Sequence, residues 1–244
     1  MFAAIEQIAI SESIAVSVIC DVLSVSRCGF HAWQSRGLSA RDKRDEELMP
    51  LIRDIFWPRT TNSRHRLGYS PNLLRERDAP QRINEVWVGD ITYIPLHGGR
   101  FGYLSLLMDL YSRRVVGWEY QESMTDALVL SSLRKAIRIR QPPAGLIHHS
   151  DRGGQYASHA YRAVHRRASM QQSMSDADNC YDNAFMESCF GTLKTELELT
   201  EYADSLEAVR ELSIYLRYYN QNRRHSSLGY LTPADFESQS TVPI

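Results

Sequence analysis

Three acidic residues carry the chemistry this sequence offers: Asp90, Asp151 and Glu187. Asp90 stands in the middle of EVWVGDITYIPL, a β-branched run in which aspartate is disfavoured and an unpaired carboxylate is costly to bury. Alternation along the run puts Val86, Val88, Asp90, Thr92 and Ile94 on one face, so the carboxylate projects from an otherwise packed surface. A metal ion would compensate it; an arginine partner is the alternative. Asp151 ends the apolar segment GLIHHS and precedes RGGQY, whose glycines admit a close backbone approach, and α/β sheets bind ligands at the carboxyl ends of their strands. Its plain alternative is a turn or cap residue. Glu187 belongs to a helix read from about Asn183 to Leu199 with the apolar stripe Met186, Phe190, Leu193 and Leu197. It lies beside that stripe and shares a face with Gly191 at i+4 and Lys194 at i+7. Glycine inside a helix costs roughly 1 kcal/mol against alanine, which points to a need for room there. Taken singly, Glu187 reads as solvent-facing. Taken together, three hard oxygen ligands at an open site suit Mg2+ or Mn2+, and two such ions serve both the attacking and the leaving oxygen of an in-line phosphoryl displacement.

The elements that must position this trio follow from periodicity. EVWVGDITYIPL, FGYLSLLMDLYS and RRVVGWEYQ are three successive β segments, and HGGR between the first two signals a hairpin, so an antiparallel meander is expected. TDALVLSSLRKAIRIR is a helix closed by Pro142-Pro143, and AGLIHHSD is a short buried strand. SHAYRAVHRRA reads as helix, MQQSMS as strand, then comes the Glu187 helix and a last helix from about Ser205 to Asn222. A meander followed by β–α alternation is the order of a ribonuclease-H-like α/β fold. Upstream, residues 13–34 give helix, turn, helix, the outline of a helix-turn-helix or of any small helical hairpin. A charged helix runs from about Ala40 to Phe56. The predicted organisation is therefore a small all-α region over 1–56, a basic linker over 57–83, the core over 84–200 and a C-terminal helix and tail over 201–244 packing on it.

Composition narrows the partners. A formal charge of -1 over 244 residues argues against a protein that coats nucleic acid, since phosphate affinity comes from clustered Lys and Arg. Such clusters exist locally. Arg59, Arg64, Arg66, Arg75, Arg77 and Arg82 face only Glu76 and Asp78 in the linker, and Arg217, Arg223, Arg224 and His225 form a second set; either is also a plausible solvated surface. No apolar run approaches the roughly 20 residues that span a bilayer, and the start carries Glu6 and Glu12 where a signal peptide would be basic, so a cytoplasmic location without membrane contact is expected. Cys20, Cys28, Cys180 and Cys189 show neither CxxC nor zinc spacing and read as buried thiols.

With these residues in view, VWVGDITYI, HHSDRGGQY, NCYDNAFMESCFGTLKTE and YNQNRRHSSLGYLTPADFE resemble the integrase-core DDE transposases of bacterial insertion sequences, specifically the second-frame (OrfB) proteins of the IS-three family. Thirty-five residues separate Asp151 from Glu187, the spacing of that family's DD(35)E motif, and the likeness covers roughly Asn84 to Phe236. The resemblance implies a retroviral-integrase-like core in which Asp90, Asp151 and Glu187 are catalytic metal ligands for Mg2+ or Mn2+, two ions being expected. It implies that Lys194 contacts the DNA end, and Asn183 and the tail around Arg224-His225-Ser226 match family positions too; Arg223 of the second basic set and Arg64 and Arg66 of the linker are the further expected DNA contacts. Cleavage would free a 3′-hydroxyl at an element end, which then attacks target DNA. Insertion-sequence ends and target DNA would be the partners, in a nucleoid-associated setting. Pairing of two ends implies a homo-oligomer, and a first-frame (OrfA) partner is left open.

The N-terminal pattern Ser-Arg-x-Gly-Phe-x-Ala-Trp at Ser26–Trp33 also resembles the family, but a departure follows it. Family members carry a second helix-turn-helix of several dozen residues, with a Tyr-Gly element, before the linker; this chain passes from Ile55-Phe56 directly to Pro58-Arg59. The reading is an internal deletion. It leaves two alternatives to an active transposase: an inactive or inhibitory DNA-binding remnant, or a ribonuclease-H-type nuclease without a joining step.

Overall fold

The computed structural model describes residues 5, 8–9, 11, 14–23, 25–35, 67–75, 77–176, 184–197 and 201–240. The charged helix expected over 40–56, the junction at 56–58, Arg64, Arg66, Cys180 and Asn183 lie outside these residues. The chain divides into two compact units, Met1–Pro58 and Arg59–Ile244.

In the first unit, α1 (Val16–Val22) and α2 (Arg27–Ser35) pack Ile19, Cys20 and Phe30 into a small cluster with Ile5. Ser26 Oγ accepts from the Gly29 amide at 3.2 Å, a serine cap that starts the second helix where the sequence predicted a break. Cys28 corrects the expectation of buried thiols. It is exposed, because two residues before the buried Phe30 a helix has turned about 200° to its outer face.

The second unit holds a five-stranded sheet in the order β3-β2-β1-β4-β5, built from β1 (Val86–Leu96), β2 (Arg100–Asp109), β3 (Val115–Gln121), β4 (Ile147–Ser150) and β5 (Gln171–Met174). The first three form an antiparallel meander, while β4 pairs parallel with β1 and β5 with β4. Gly98 and Gly99 take φ of 78° and 71°, the backbone a tight β1–β2 hairpin needs and only glycine adopts cheaply. Between the strands run α3 (Asp126–Arg140), the single turn α4 (Gly154–Ala157) and α5 (His159–Arg167); after them come α6 (Ala184–Glu196), α7 (Ser205–Gln221) and α8 (Pro233–Ser240).

Both faces of the sheet are covered, and the side-chain alternation of β1 sorts the core into two clusters. Val86, Val88, Ile94 and Leu96 pack with Met186, Phe190 and Leu193 of α6 and Leu212 and Leu216 of α7. Trp87 and Ile91 face the other way, against Leu128, Val129 and Leu133 of α3 and Tyr156 and Tyr161. Helix α7 starts on Asp204, whose Oδ1 accepts from the Leu206 and Glu207 amides at 2.9 Å each, while Glu207 accepts from the Ala203 amide at 2.7 Å. Helix α8 is tied down by Glu237, which accepts from Ser112 Oγ at 2.7 Å, from Arg114 at 2.6 Å and from both terminal nitrogens of Arg140 at 2.7 and 2.8 Å.

Gly117 on β3 fixes how closely α3 approaches. A Cβ there would lie 2.7 Å from the Ser132 carbonyl oxygen and 2.7 Å from Ala136 Cβ, neither of which yields without moving the helix. Gly117→Ala is expected to destabilise the chain by about 1–3 kcal/mol, the range for forcing an extra methyl into a packed core. Urea unfolding would measure it, and a loss under about 0.5 kcal/mol would mean that α3 floats more freely than this packing allows.

Candidate active site

The sheet places two of the three predicted carboxylates side by side. Parallel pairing of β1 and β4 runs from Val86 with Ile147 to Gly89 with Ser150, and Asp90 and Asp151 each lie one residue further along. They also share a face, since Val88 and Ile147, an even number of residues before each of them, both belong to the α6–α7 cluster. Asp90 is half-buried and its Oδ1 accepts from the Ile91 amide at 2.7 Å; Asp151 Oδ1 accepts from the Gly153 amide at 3.0 Å, the close backbone approach that the RGG segment permits.

Helix α6 brings the third element. Met186, Phe190 and Leu193 are buried against the sheet, which leaves Glu187, Gly191 and Lys194 on an adjoining, exposed face. Partial burial pulls the Lys194 ammonium below its usual pKa while the Asp90 charge works to hold it up, so the lysine stands within electrostatic reach of Asp90. Glu187 is exposed, and among the described residues no three His, Cys, Asp or Glu side chains converge closely enough to hold an ion. The strand register therefore brings Asp90 and Asp151 together, and Lys194 lies within reach of Asp90, with Glu187 on the same helix face as Lys194. A Cβ at Gly191 would meet nothing within 4 Å, so no contact inside the chain calls for glycine at that exposed position.

Of the other predicted residues, Arg223, Arg224 and His225 are described, and they lie on the opposite flank of α6. Arg223 donates from Nε to Glu196 at 2.8 Å and stacks over Tyr219, His225 is buried, and Arg224 is exposed. Burial, with Arg223 and Arg113 adding to it, pushes the His225 imidazole down to about 4, so it is neutral at physiological pH.

What the sequence reading missed is the floor beneath the acidic pair. Gly89 leaves space for His148, whose Nε2 would sit 2.7 Å from a Cβ built there. A closed ring follows from the distances: Tyr161 OH to His148 Nε2 at 3.5 Å, His148 Nδ1 to His165 Nε2 at 3.2 Å, and His165 Nδ1 to the Tyr161 carbonyl at 3.0 Å. That carbonyl only accepts, so His165 donates from Nδ1; with both imidazoles neutral, His148 Nδ1 donates to His165 Nε2 and the tyrosine hydroxyl donates to His148 Nε2. Next to this ring, burial raises the Tyr156 phenol well above its usual range, and Asp90, Tyr161 and Asp151 raise it further. The signal in the sequence was His148 in an apolar strand with glycine one residue before Asp90.

The ring has a pH signature. Burial, reinforced by His165 and His149, holds His148 well below the usual histidine value, and burial lowers His165 against its hydrogen bond to Tyr161. The unfolded chain takes up protons below about pH 6.5 that the folded chain refuses, so stability is complete above that pH and falls as pH drops through it. Each imidazole contributes up to about 1.4 kcal/mol per pH unit. Urea midpoints at pH 7.5, 6.5 and 5.5 should decline; midpoints flat across that range would rule out a buried neutral pair.

A sheet in this order, with adjacent carboxylates at the end of its central parallel pair, defines a ribonuclease-H-like integrase core. The comparisons agree. The integrase core domain family matches residues 80–180, and a second integrase core description matches residues 168–233. An uncharacterized 31 kDa protein of insertion element IS600 from Shigella sonnei is 36% identical over 267 residues, taking in 91% of this chain and 98% of its own. The IS904 transposase of Lactococcus lactis is 41% identical over 173 residues, 70% of this chain and 68% of the relative, and the InsF transposase of IS3A from Escherichia coli is 40% identical over 72% of this chain and 62% of its own. Among solved structures, a simian T-cell lymphotropic virus intasome with PP2A regulatory subunit B56 gamma gives a TM-score of 0.58 at 17% identity, covering 93% of this chain and 75% of that one. The HTLV-2 integrase catalytic core in complex with magnesium gives 0.52 at 19%, covering 64% and 97%. The chain belongs to the insertion-sequence transposases of the IS3 family, enzymes built on a retroviral-integrase-like core. In the IS600 comparison, 91% of 244 residues is about 222, so about 45 of the 267 aligned residues of the relative have no counterpart here.

Proposed function

We propose that this transposase acts through Asp90, Asp151 and Glu187 as ligands of divalent cations, cutting insertion-sequence ends and joining them to target DNA. The observation that carries the reading is the adjacency of Asp90 and Asp151 at the end of the β1–β4 pair. Two like charges so placed, with hard oxygen donors, fit Mg2+ or Mn2+ better than any soft ion. Bound there, as one or two ions, the metal supplies the Lewis acidity that turns water or a 3′-hydroxyl into a nucleophile and offsets charge on the leaving oxygen. Glu187 completes the ligand set from α6, and Lys194 beside it pairs with a phosphate of the DNA end. Asn183, Arg64, Arg66 and the Arg223–His225 turn contribute further DNA contacts, with Arg223 also bracing α6 through Glu196. A homo-oligomer follows from the need to process two ends together, with an OrfA protein as an accompanying partner and the nucleoid as the place of work. No helix among the described residues is long and apolar enough to cross a membrane.

A second reading is favoured by one observation, the roughly 45 residues of the IS600 relative that are missing inside the alignment. If they belong to the N-terminal DNA-binding region, this chain is a remnant that occupies DNA or joins a full-length transposase and inhibits it.

One assay separates these readings: labelled element-end duplex with Mg2+, scored for nicked and joined products. The expected result is both products from the parent and neither from Glu187→Gln. Nicks without joints would favour a nuclease, a silent parent the remnant, and equal activity of Glu187→Gln would remove the carboxylate assignment.

A further inference from the structure

The face of α6 turned away from Glu187 lines a second feature. A cleft of about 520 Å3 lies between this helix and the turn around His225, walled by Arg113, Arg223, Arg224, His225, Thr192 and Ser226 among others. Three guanidiniums and several hydroxyls line it, and no Asp or Glu does among the described residues. Glu196, outside the lining, pairs with Arg223 at 2.8 Å and accepts from the Tyr215 hydroxyl at 2.9 Å.

Arg113 is the unusual member. It sits on the β2–β3 turn with φ of 60°, a left-handed backbone that a long side chain adopts only where the surroundings impose it. Its guanidinium stacks over Phe185 with 4.3 Å to the ring centroid, and among the described residues no carboxylate lies within ion-pair distance of it. Burial lowers its affinity for a proton, and Asp109 and Tyr219 restore only part of that. A cation held partly out of water, beside Arg223 and next to a histidine that burial and both arginines keep neutral, is a site of positive potential awaiting an anion.

Position says which anion. Phe185, Ser188 and Thr192 line the cleft, Lys194 lies on the Asp90 side with Glu187 on its helix face, and the exposed crest of α6, with Gly191 beside it, lies between the two. Gly191 keeps that crest low without a packing reason of its own. A helix is about 10 Å across, and a DNA strand advances about 3.4 Å per nucleotide, so a strand crossing α6 spans it in roughly three nucleotides.

We infer that the Arg113–Arg224 cleft holds a backbone phosphate of the same DNA strand that reacts at the carboxylates, about three nucleotides from the reacting phosphodiester. The inference rests on the proposed role of Asp90 and Asp151, and it adds Arg113, which no motif marks, while assigning Arg224 a specific duty. Neither arginine touches the reacting atoms; both are positioning residues, and the effect belongs to affinity and its salt dependence.

The test is fluorescence anisotropy of the full chain on a labelled 25-base-pair duplex from 50 to 300 mM salt. Arg113→Gln and Arg224→Gln should each reduce the slope of log affinity against log salt by about 0.9, the contribution of one phosphate contact, with about tenfold weaker binding at low salt. Arg113→Lys keeps the charge and should keep the slope, and Arg138→Gln, exposed on α3, should behave as the parent. Should Arg113→Gln fail to fold, Arg224→Gln decides alone. Parent-like slopes in the Gln variants overturn the cleft while leaving the catalytic proposal standing; a parent that binds no DNA overturns both.

Discussion

Changing Asp151 to asparagine is expected to lower strand cleavage and joining about a thousandfold while leaving the fold intact. Stabilising the charge that develops in phosphoryl transfer is worth several kcal/mol, and about 4 kcal/mol corresponds to a factor of about a thousand. The amide retains the shape of the side chain and its acceptor for the Gly153 amide, so the turn after β4 should survive. Removing one of two adjacent negative charges relieves their repulsion, so the metal-free variant should unfold at the parent's temperature or slightly above it. A second readout is independent of catalysis. Mg2+ that binds the folded chain alone stabilises it by about 2.7 kcal/mol at one hundred times its dissociation constant, and Asp151→Asn should lose most of that response. This holds even for a chain that no longer transposes. An unaltered Mg2+-dependent shift in the variant would show that the cation binds elsewhere.

The other large effect is expected far from the acidic pair. Glu237→Ala should cost about 3–5 kcal/mol, because it leaves the Arg140 guanidinium buried without its bidentate partner and frees Arg114 and Ser112 as well. For a chain of this size that corresponds to a fall of roughly 10 °C in melting temperature. The cause is electrostatic, so pH reports on it too. Burial alone would raise the Glu237 carboxyl, but hydrogen bonds from Arg140 and Ser112 outweigh it and hold the group below its usual value. Its contribution is therefore present at and above about pH 4.5 and disappears as pH falls through the lower, folded value. Calorimetry of parent and variant at pH 7 would measure the difference; a loss below about 1 kcal/mol would mean that α8 is held by apolar contacts instead.

Asp90 and Asp109 show how far the sequence could be read. Each is an aspartate in an apolar strand, and the argument that such a carboxylate needs compensation applies equally to both. Asp109 turns out to be fully buried, satisfied by the amides of Asn84, Tyr111 and Ser112 at 2.6, 3.0 and 3.1 Å and approached by Arg140. It is structural. Only the place of Asp90, one step beyond the last paired residue of the parallel strand carrying Asp151, separates the two, and pairing between strands some 60 residues apart leaves no mark on local periodicity. The meander, the HGGR hairpin and the alternation of β1 were legible because each depends on neighbours in the chain. The imidazole ring under the acidic pair, the Glu237 clamp and the Arg113 cleft were not, since each joins residues from separate elements. Gly191 was legible as an oddity, and the open space around it turned that oddity outward, away from packing.

The central position of β1 also sets a hazard during synthesis. Its partner β2 follows it within the same hairpin, but β4 begins only at Ile147, twenty-six residues after the meander ends at Gln121. At about 5–20 residues per second the ribosome leaves β1 with an open edge for roughly one to five seconds, its amides and carbonyls free to template another strand. Chains growing side by side on one message carry the same open edge at the same moment. Inclusion bodies of this protein should therefore depend on translation rate more than on the stability of the finished fold, and slower growth would lengthen the exposure it is meant to relieve.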